Sequence, residues 1–307
     1  MQSASEQGDI WVLNLAHELS EELSDEKLLL SLYHSFLELK KNHCGGVVWT
    51  VEQKMCSMSP EVFLTQKGNI LSTFPIKGTG DREYLEQNEK EISELAMVTD
   101  LLRNDLGQIA KKVWVENERV LVDRKSHWDA HSEIYARLPQ NNISWEQFEM
   151  LLPAGSISGA PKKRVVEKIL ELENFDRDFY TGTFGVRFSP EESIFNILIR
   201  TLFAQDGKWR FPVGAGITYE SDAVAEWQET LQKAEILREC TRTGKNFSSH
   251  LGFSLGLISG PKLLHAFFLP RLKKSCPFLN YTPQKMSGLL FLCHFLHFFF
   301  GFLPQYF

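Results

Sequence analysis

The sequence Pro75-Ile76-Lys77-Gly78-Thr79 places one lysine at the end of an apolar strand. Proline cannot donate to a strand ladder and glycine frees the turn, so the backbone fixes the position of Lys77. Burial of a lysine favours its neutral amine, which is a nucleophile. Most lysines at strand ends are solvated surface charges, however, so a chemical role for Lys77 depends on the rest of the chain.

The segments around this strand predict an α+β fold. Helices are predicted from apolar residues at helical spacing, and strands from short apolar runs between turn residues. The two do not alternate regularly, which favours an α+β fold with antiparallel sheets over a doubly wound sheet. Helices are predicted over 25–41, 83–103, 144–152 and 161–173, a hairpin over 113–123, and a strand-turn-helix unit over 209–238.

Charge and cysteine content narrow the class of protein. The chain has 39 Asp and Glu against 33 Lys and Arg, and the acidic excess lies before residue 241. An acidic body argues against a nucleic-acid partner. The 5 cysteines form no CxxC pair and the first residues resemble no signal peptide, so we expect free thiols in the cytoplasm.

The composition changes near residue 240, which predicts a catalytic domain over 1–240 and an atypical tail over 241–307. The tail is rich in phenylalanine and basic, with no Asp or Glu. Its apolar run over 288–303, GLLFLCHFLHFFFGFL, is slightly shorter than the roughly 20 residues that span a bilayer. A membrane-associating segment and a non-native extension both remain open for this tail.

Two predicted helices each carry a Glu-x-x-Glu pair, Glu91 with Glu94 and Glu226 with Glu229. At this spacing both carboxylates lie on one helix face. Two such faces brought together would form an oxygen-rich site suited to Mg²⁺. Each pair taken alone is equally typical of a solvated helix.

Other candidates lie in glycine-rich turns and at strand ends. The loop over 153–162 opens a helix whose N–H groups can hold a carboxylate, but it lacks the Gly-Lys-Ser/Thr ending of a P-loop. The glycines over 213–216 allow either close approach to a ligand or a tight turn. Arg200 ends an apolar strand and can pair with a ligand carboxylate or with an internal Glu. Glu61 is either a turn residue or, in an apolar site, a general acid.

Six motifs, in this order, resemble the chorismate-utilising enzymes, which include anthranilate, isochorismate and salicylate synthases and aminodeoxychorismate synthase component I. Within that family, Pro-Ile-Lys-Gly-Thr is similar to the aminodeoxychorismate synthase signature, whereas anthranilate synthases typically have Ala in place of Lys77. The motifs are Lys90–Gly107 (KEISELAMVTDLLRNDLG), Gly155–Lys162 (GSISGAPK), Tyr180–Gly185, Asn196–Thr201, Gly214–Gly216 and Glu226–Ala234.

The resemblance implies a fold of two stacked, largely antiparallel β-sheets flanked by helices, and it also implies a mechanism. Glu61 is the general acid for the departing C4 hydroxyl of chorismate, and Lys77 attacks C2 to give a covalent adduct that ammonia at C4 then expels. The resemblance also implies Mg²⁺ on the ring carboxylate of chorismate. Its ligands are Glu94 and Glu229, with Glu91 and Glu226 in support. Substrate binding is assigned to Thr79, Ser158, Tyr180, Arg200, Gly214, Ala215, Gly216 and Lys233.

The chain departs from the family pattern in three places. The N-terminal region of full-length members is missing, so we expect an incomplete fold there. Val12 stands where water-activating members carry a lysine base, which disfavours isochorismate chemistry. The family often has a histidine three residues before the serine matching Ser132, and that register falls on Asp129. The roles of Asp129 and of the flanking His127 and His131 stay open.

The function that this resemblance predicts is aminodeoxychorismate synthase component I. It would convert chorismate and ammonia to 4-amino-4-deoxychorismate for 4-aminobenzoate and folate synthesis, with the ammonia supplied by a separate glutamine amidotransferase. Two alternatives are kept. One is anthranilate synthase component I, and the other is a truncated, non-catalytic homologue that only binds its partner.

Overall fold

The computed structural model describes residues 10–22, 28–39, 44–49, 54–124, 127–205, 207–244, 265–269 and 290–293. Its helices are α1 (Leu28–Leu39), α2 (Arg82–Gln87), α3 (Glu89–Gly107), α4 (Trp145–Met150), α5 (Gly155–Ser158), α6 (Lys162–Leu172) and α7 (Ala223–Gly244). Its strands are β1 (Val12–Glu22), β2 (Gly46–Trp49), β3 (Lys54–Ser57), β4 (Val62–Lys67), β5 (Ile70–Thr73), β6 (Ile76–Gly80), β7 (Lys112–Asp123), β8 (Trp128–Arg137), β9 (Gly159–Ala160), β10 (Thr183–Ser189), β11 (Glu192–Ile197), β12 (Thr201–Gln205), β13 (Lys208–Ile217), β14 (His265–Leu269) and β15 (Leu290–Cys293).

The strands form two antiparallel sheets, which confirms the predicted α+β class. The first sheet has the order β15-β2-β3-β12-β13-β1-β9. The second has the order β14-β10-β11-β4-β5-β8-β6, with β7 paired to β8. Every strand pair among the described residues runs antiparallel.

The long ladder between β1 and β13 needs glycine at one position. It runs from Leu13 opposite Ile217 to Glu22 opposite Lys208. A Cβ placed on Gly214 would lie 2.8 Å from Asn14 Oδ1 and 2.9 Å from a carbonyl oxygen of β1. Contacts this short exclude any larger residue, so the predicted close approach at this glycine is made by the chain's own β1 strand.

Apolar packing fixes the two helices that carry the Glu-x-x-Glu pairs. The buried face of α3 packs into a core cluster with Phe148 and Phe195, whose ring centroids are 4.6 Å apart. Ile236 of α7 packs against the first sheet in a second cluster that includes Phe36 of α1. Each helix is therefore held by its apolar side, and its polar side is left to face the gap between them.

Two local predictions were wrong. Residues 113–123 form one strand, β7, paired along β8, and the polar Glu116-Asn117-Glu118 segment is absorbed by shifts of register on either side of Asn117. The helix predicted over 83–103 is divided at Asn88 into α2 and α3. Asn88 has extended backbone, and its side chain accepts a hydrogen bond from the Glu91 N–H, which starts a new helix there.

The chain beyond residue 240 is described only in part. Helix α7 continues to Gly244, and two short segments add edge strands, β14 beside β10 and β15 beside β2. Most of the apolar run over 288–303 lies outside the described residues. Within the part of the chain that is described, no helix is long and apolar enough to cross a membrane. The division at residue 240 stays a prediction.

Candidate active site

Lys77 reaches from one sheet to the other. It lies on β6, where the pairing with β8 shifts register between Lys77 and Thr79. Gly78, between them, has φ +80°, and a Cβ on it would lie 2.9 Å from Leu85 Cδ2. On the facing sheet, a Cβ placed on Gly216 of β13 would lie 3.9 Å from Lys77 Nζ. The glycine bulge in β6 thus aims the lysine at the glycine-rich end of β13.

Glu61 lies in the same region, immediately before β4, and is 6% exposed. Burial raises the pKa of its carboxyl to about 7, while the positive charges of Lys77, Arg200 and Lys233 act in the opposite direction. The buried hydroxyl of Ser156 is close to this carboxyl, although outside strict hydrogen-bond geometry. A carboxyl whose pKa lies near neutral pH can take up a proton and donate it to a leaving group.

Three cations surround Glu61, and two of them are desolvated. Burial lowers the pKa of Arg200, with Asp129 and Glu61 opposing the effect. Burial also lowers the pKa of Lys233, which donates a hydrogen bond to the Gly214 carbonyl at 2.8 Å. Both residues are only partly buried, and lysine and arginine side chains in such a setting suit a ligand with two carboxylates.

The structure brings the two Glu-x-x-Glu helices together. Lys90 of α3 places its Nζ 3.2 Å from Glu226 Oε1 of α7 and 3.7 Å from Glu94 Oε1 of its own helix. Glu226 is 5% exposed. Burial raises the pKa of Glu94, and the nearby Glu226 adds to the rise while Lys77 and Lys90 oppose it.

The fourth carboxylate, Glu229, lies at the more open end of this group. Its side chain is 48% exposed and pairs with Lys233 at 2.7 Å. Burial acts to raise the pKa of Glu229, but the charge of Lys233, helped by Lys77 and Lys90, brings it below its ordinary value. Glu91 approaches β6 instead, with Oε2 3.2 Å from the position of a Cβ on Gly78.

The donor chemistry of these helices fits Mg²⁺. Among the residues that the structure describes, no three His, Cys, Asp or Glu side chains converge closely enough to hold a metal by themselves. Mg²⁺ needs only one or two carboxylates, with waters and substrate oxygens completing its shell. The ammonium of Lys90 already stands between Glu94 and Glu226, so the gap between the helices accommodates a positive charge.

Three residues assigned to substrate binding have side chains committed elsewhere or deeply buried. The hydroxyl of Ser158 donates to the Ala154 carbonyl at 2.8 Å inside α5. Thr79 donates to Asp129 Oδ1 at 3.2 Å. Tyr180 is 3% exposed, and burial raises its pKa to about 12. The backbone N–H of Ser158 also donates to the Ala154 carbonyl, at 3.2 Å, and the residue is 0% exposed.

Asp129 lies in a cluster that its sequence position does not reveal. It is buried, and its carboxylate pairs with Arg124 Nε at 3.0 Å and His127 Nε2 at 3.3 Å. Its charge also acts on Arg200. The spacing from Ser132 identified Asp129 in the sequence. Its partners Arg124 and His127 are brought to it by the turn between β7 and β8.

A buried ion pair that sequence reasoning missed holds several parts of the site. Arg177 pairs with Glu173 at 2.6 Å, with side chains 1% and 2% exposed. Arg177 also donates to the carbonyls of Asn14 at 2.7 Å and Ile157 at 3.2 Å, and Glu173 accepts from the Ala16 N–H at 2.8 Å. The residues are four apart, a common surface spacing, so nothing local indicated that they are buried.

Relatives of this chain are found by sequence and by structure. It is 32% identical over 240 residues to aminodeoxychorismate synthase component 1 of Bacillus subtilis, covering 74% of this chain and 51% of that one. It is 33% identical to anthranilate synthase component 1 of Lactococcus lactis, covering 75% and 53%. The structure of anthranilate synthase component I from Streptococcus pneumoniae matches with a TM-score of 0.69 and 28% identity, over 77% of this chain and 55% of that one.

The chain therefore spans about half the length of these relatives. A family model described as chorismate binding enzyme matches residues 1–239. That span contains both predicted Glu-x-x-Glu pairs, the glycine bulge beside Lys77 and the glycines of β13. The match covers well over half of the chain, and the chain belongs to the family of chorismate binding enzymes.

Proposed function

We propose that this chain is the chorismate-converting component of an aminodeoxychorismate synthase, which places ammonia at C4 of chorismate. The observation that carries the proposal is the position of Lys77. A glycine bulge aims its amine at β13, and the charge of Lys77 acts on the Glu61 carboxyl, whose pKa is raised by burial to about 7. An amine nucleophile next to a general acid is the pair that a covalent displacement on chorismate requires.

The proposed reaction has two displacements. Lys77 Nζ bonds to C2 of the ring, the two ring double bonds shift, and the C4–oxygen bond breaks as Glu61 gives its proton to the departing hydroxyl, which leaves as water. Ammonia then bonds to C4 and gives its extra proton to the Glu61 carboxylate, the double bonds shift back, and the C2–nitrogen bond breaks with its electron pair returning to the Lys77 amine. Dividing one difficult step into two easier ones is the advantage of a covalent adduct.

The surrounding cations orient the substrate. Arg200 and Lys233 would pair with its two carboxylates, and Gly216 leaves room for a ring against β13, whereas Gly214 is closed off by β1. Charged donors fixed in a partly desolvated site stabilise a dianion without reorganising during the reaction. The substrate assignments of Thr79, Tyr180 and Ala215 rest on the family resemblance.

Glu94 and Glu229, with Glu91 and Glu226 in support, would hold Mg²⁺, which supplies a Lewis acid for the ring carboxylate when it is bound. We further propose that a separate glutamine amidotransferase delivers the ammonia, and that the protein acts in the cytoplasm. Cys44 and Cys56 are thiols and not disulfides, and both are buried, as expected of structural thiols in a reducing compartment.

The test is direct product analysis. Purified protein with chorismate, Mg²⁺ and ammonium should give 4-amino-4-deoxychorismate, detected by mass spectrometry. Lys77→Ala removes the nucleophile and should lower that turnover about 100-fold or more. Full turnover in the variant would remove Lys77 from the mechanism.

The second candidate is anthranilate synthase component I. The chain is 33% identical to the Lactococcus lactis enzyme of that name and 32% identical to the Bacillus subtilis aminodeoxychorismate synthase component. Sequence identity therefore supports this candidate as well as the first. Anthranilate in the same assay would select it. If neither product forms and chorismate does not raise the melting temperature, the chain is a homologue without a working site.

A further inference from the structure

We propose that Lys90 is a built-in counter-cation, which holds the two acidic helices together when no metal is bound and is displaced when a divalent cation binds. This inference rests on the proposed function, because it takes the carboxylates of α3 and α7 as the metal site. It adds to that function a residue that sets how tightly the metal binds.

The first support is the bridge itself. Lys90 and Glu226 are 136 residues apart in sequence, yet their side chains lie 3.2 Å apart, and Glu94 is 3.7 Å from the same nitrogen. A single ammonium therefore links α3 to α7 through one carboxylate of each helix. Glu226 also accepts a hydrogen bond from the Ser221 hydroxyl at 2.7 Å, so this carboxylate is fixed in place.

The second support is the unfavourable position of Lys90 within its own helix. Helix α3 begins at Glu89, so Lys90 lies in the first turn, where the helix dipole disfavours a positive charge. The neighbouring Glu89 and Glu91 are the favourable residues there. The benefit of a lysine at this position therefore comes from its contact with α7.

The third support is the contrast in exposure between the partners. The Glu226 side chain is 6% exposed, so its charge needs a nearby partner. The Lys90 side chain is 43% exposed and has a flexible four-carbon stem. The carboxylate is held and the ammonium can leave to solvent, which is the arrangement that a displaceable cation requires.

Lys90 and a divalent cation cannot occupy the gap together. A cation such as Mg²⁺ lies about 2.1 Å from its carboxylate oxygens. Of the four carboxylates proposed to hold it, Glu94 and Glu226 are the two that Lys90 Nζ now approaches. Metal binding must therefore break the bridge, and the free energy of the bridge is subtracted from the apparent affinity for the metal.

Titration with Mn²⁺, followed by its electron paramagnetic resonance signal, tests this competition on the unmodified chain and on Lys90→Gln. We expect Lys90→Gln to bind Mn²⁺ about tenfold more tightly, the factor that one hydrogen bond to a buried carboxylate contributes. Lys90→Met, which keeps the apolar stem, should show the same gain. The matched control is Lys168→Gln, because Lys168 pairs with Glu171 at 2.7 Å on the exposed side of α6. It should bind Mn²⁺ as the unmodified chain does.

Thermal unfolding gives a second readout. Without metal, Lys90→Gln should melt at a lower temperature than the unmodified chain, and saturating Mn²⁺ should raise its melting temperature by more than it raises that of the unmodified chain.

Equal or weaker Mn²⁺ binding by both Lys90 variants, or no binding by any of the proteins, would overturn the inference. Tighter binding by the variants without any product from the unmodified chain would support the inference and reject the proposed function. Product formation by the unmodified chain, with Mn²⁺ affinity unchanged in the Lys90 variants, would support the proposed function and reject the inference.

Discussion

At the scale of single residues, Glu61 ties the chemistry to the stability of the fold. Its pKa in the folded chain is about 7, against 4.5 for an ordinary glutamate. Between these two values the folded chain binds the proton that the unfolded chain has lost, so stability falls as the pH rises. The stabilising contribution is complete below pH 4.5 and is lost as the pH passes through about 7.

Glu61→Gln should remove this pH dependence. From pH 4 to pH 8, the free energy of unfolding of the unmodified chain should fall by about 3 kcal/mol relative to that of the variant, as measured by urea denaturation. The variant should also lose about 100-fold or more in turnover, since it cannot give up a proton. Glu171→Gln, on the exposed face of α6, is the control and should follow the unmodified chain. Parallel curves for Glu61→Gln would show that the carboxyl is not protonated in the folded chain.

At the scale of elements, the bulge in β6 determines where Lys77 points. Gly78 has a backbone conformation that residues with a Cβ rarely adopt, and its missing side chain leaves room for Leu85. The sequence showed the glycine and the proline, which is why a fixed lysine could be predicted. The direction of Lys77 depends on the register of β6 against β8, which no local pattern encodes.

Gly78→Ala should therefore lower the free energy of unfolding by more than the strain of a positive φ angle alone would. We expect a loss of about 2–3 kcal/mol, from strain at φ +80° together with the contact with Leu85. Gly68→Ala is the matched control, because Gly68 has φ +60° and no atom within 4 Å of the added Cβ. It should lose only about 1 kcal/mol in urea unfolding. Equal losses at the two positions would mean that β6 yields to the added methyl.

At the scale of the whole molecule, the sequence predicted the class of fold and the residues that approach one another, but not the scaffold that holds them. Helical spacing and strand length were sufficient for antiparallel sheets and for most of α3 and α7, but not for the break at Asn88. The role of Arg177 depends on contacts more than 150 residues apart along the chain, and the order of the strands depends on pairings between distant segments such as β1 and β13. Such contacts leave no trace in the local pattern.

Arg177→Met should show how much the fold depends on that ion pair. The variant leaves Glu173 buried without its partner and removes donors from two backbone carbonyls, so we expect a loss of about 3–5 kcal/mol in urea unfolding. Arg177→Met combined with Glu173→Leu removes both charges and should recover part of that loss. A single variant as stable as the unmodified chain would mean that water reaches Glu173.

The position of Lys77 against Gly216 has a consequence for how this protein can be divided. Lys77, the proposed nucleophile, belongs to one sheet, and Gly216 of the facing wall belongs to the other. Neither sheet alone therefore carries a complete centre. The chain also passes repeatedly from one sheet to the other. In sequence, β9 of the first sheet comes between β8 and β10 of the second. No single cut of the backbone would separate the sheets, and the centre assembles only when the entire body has folded.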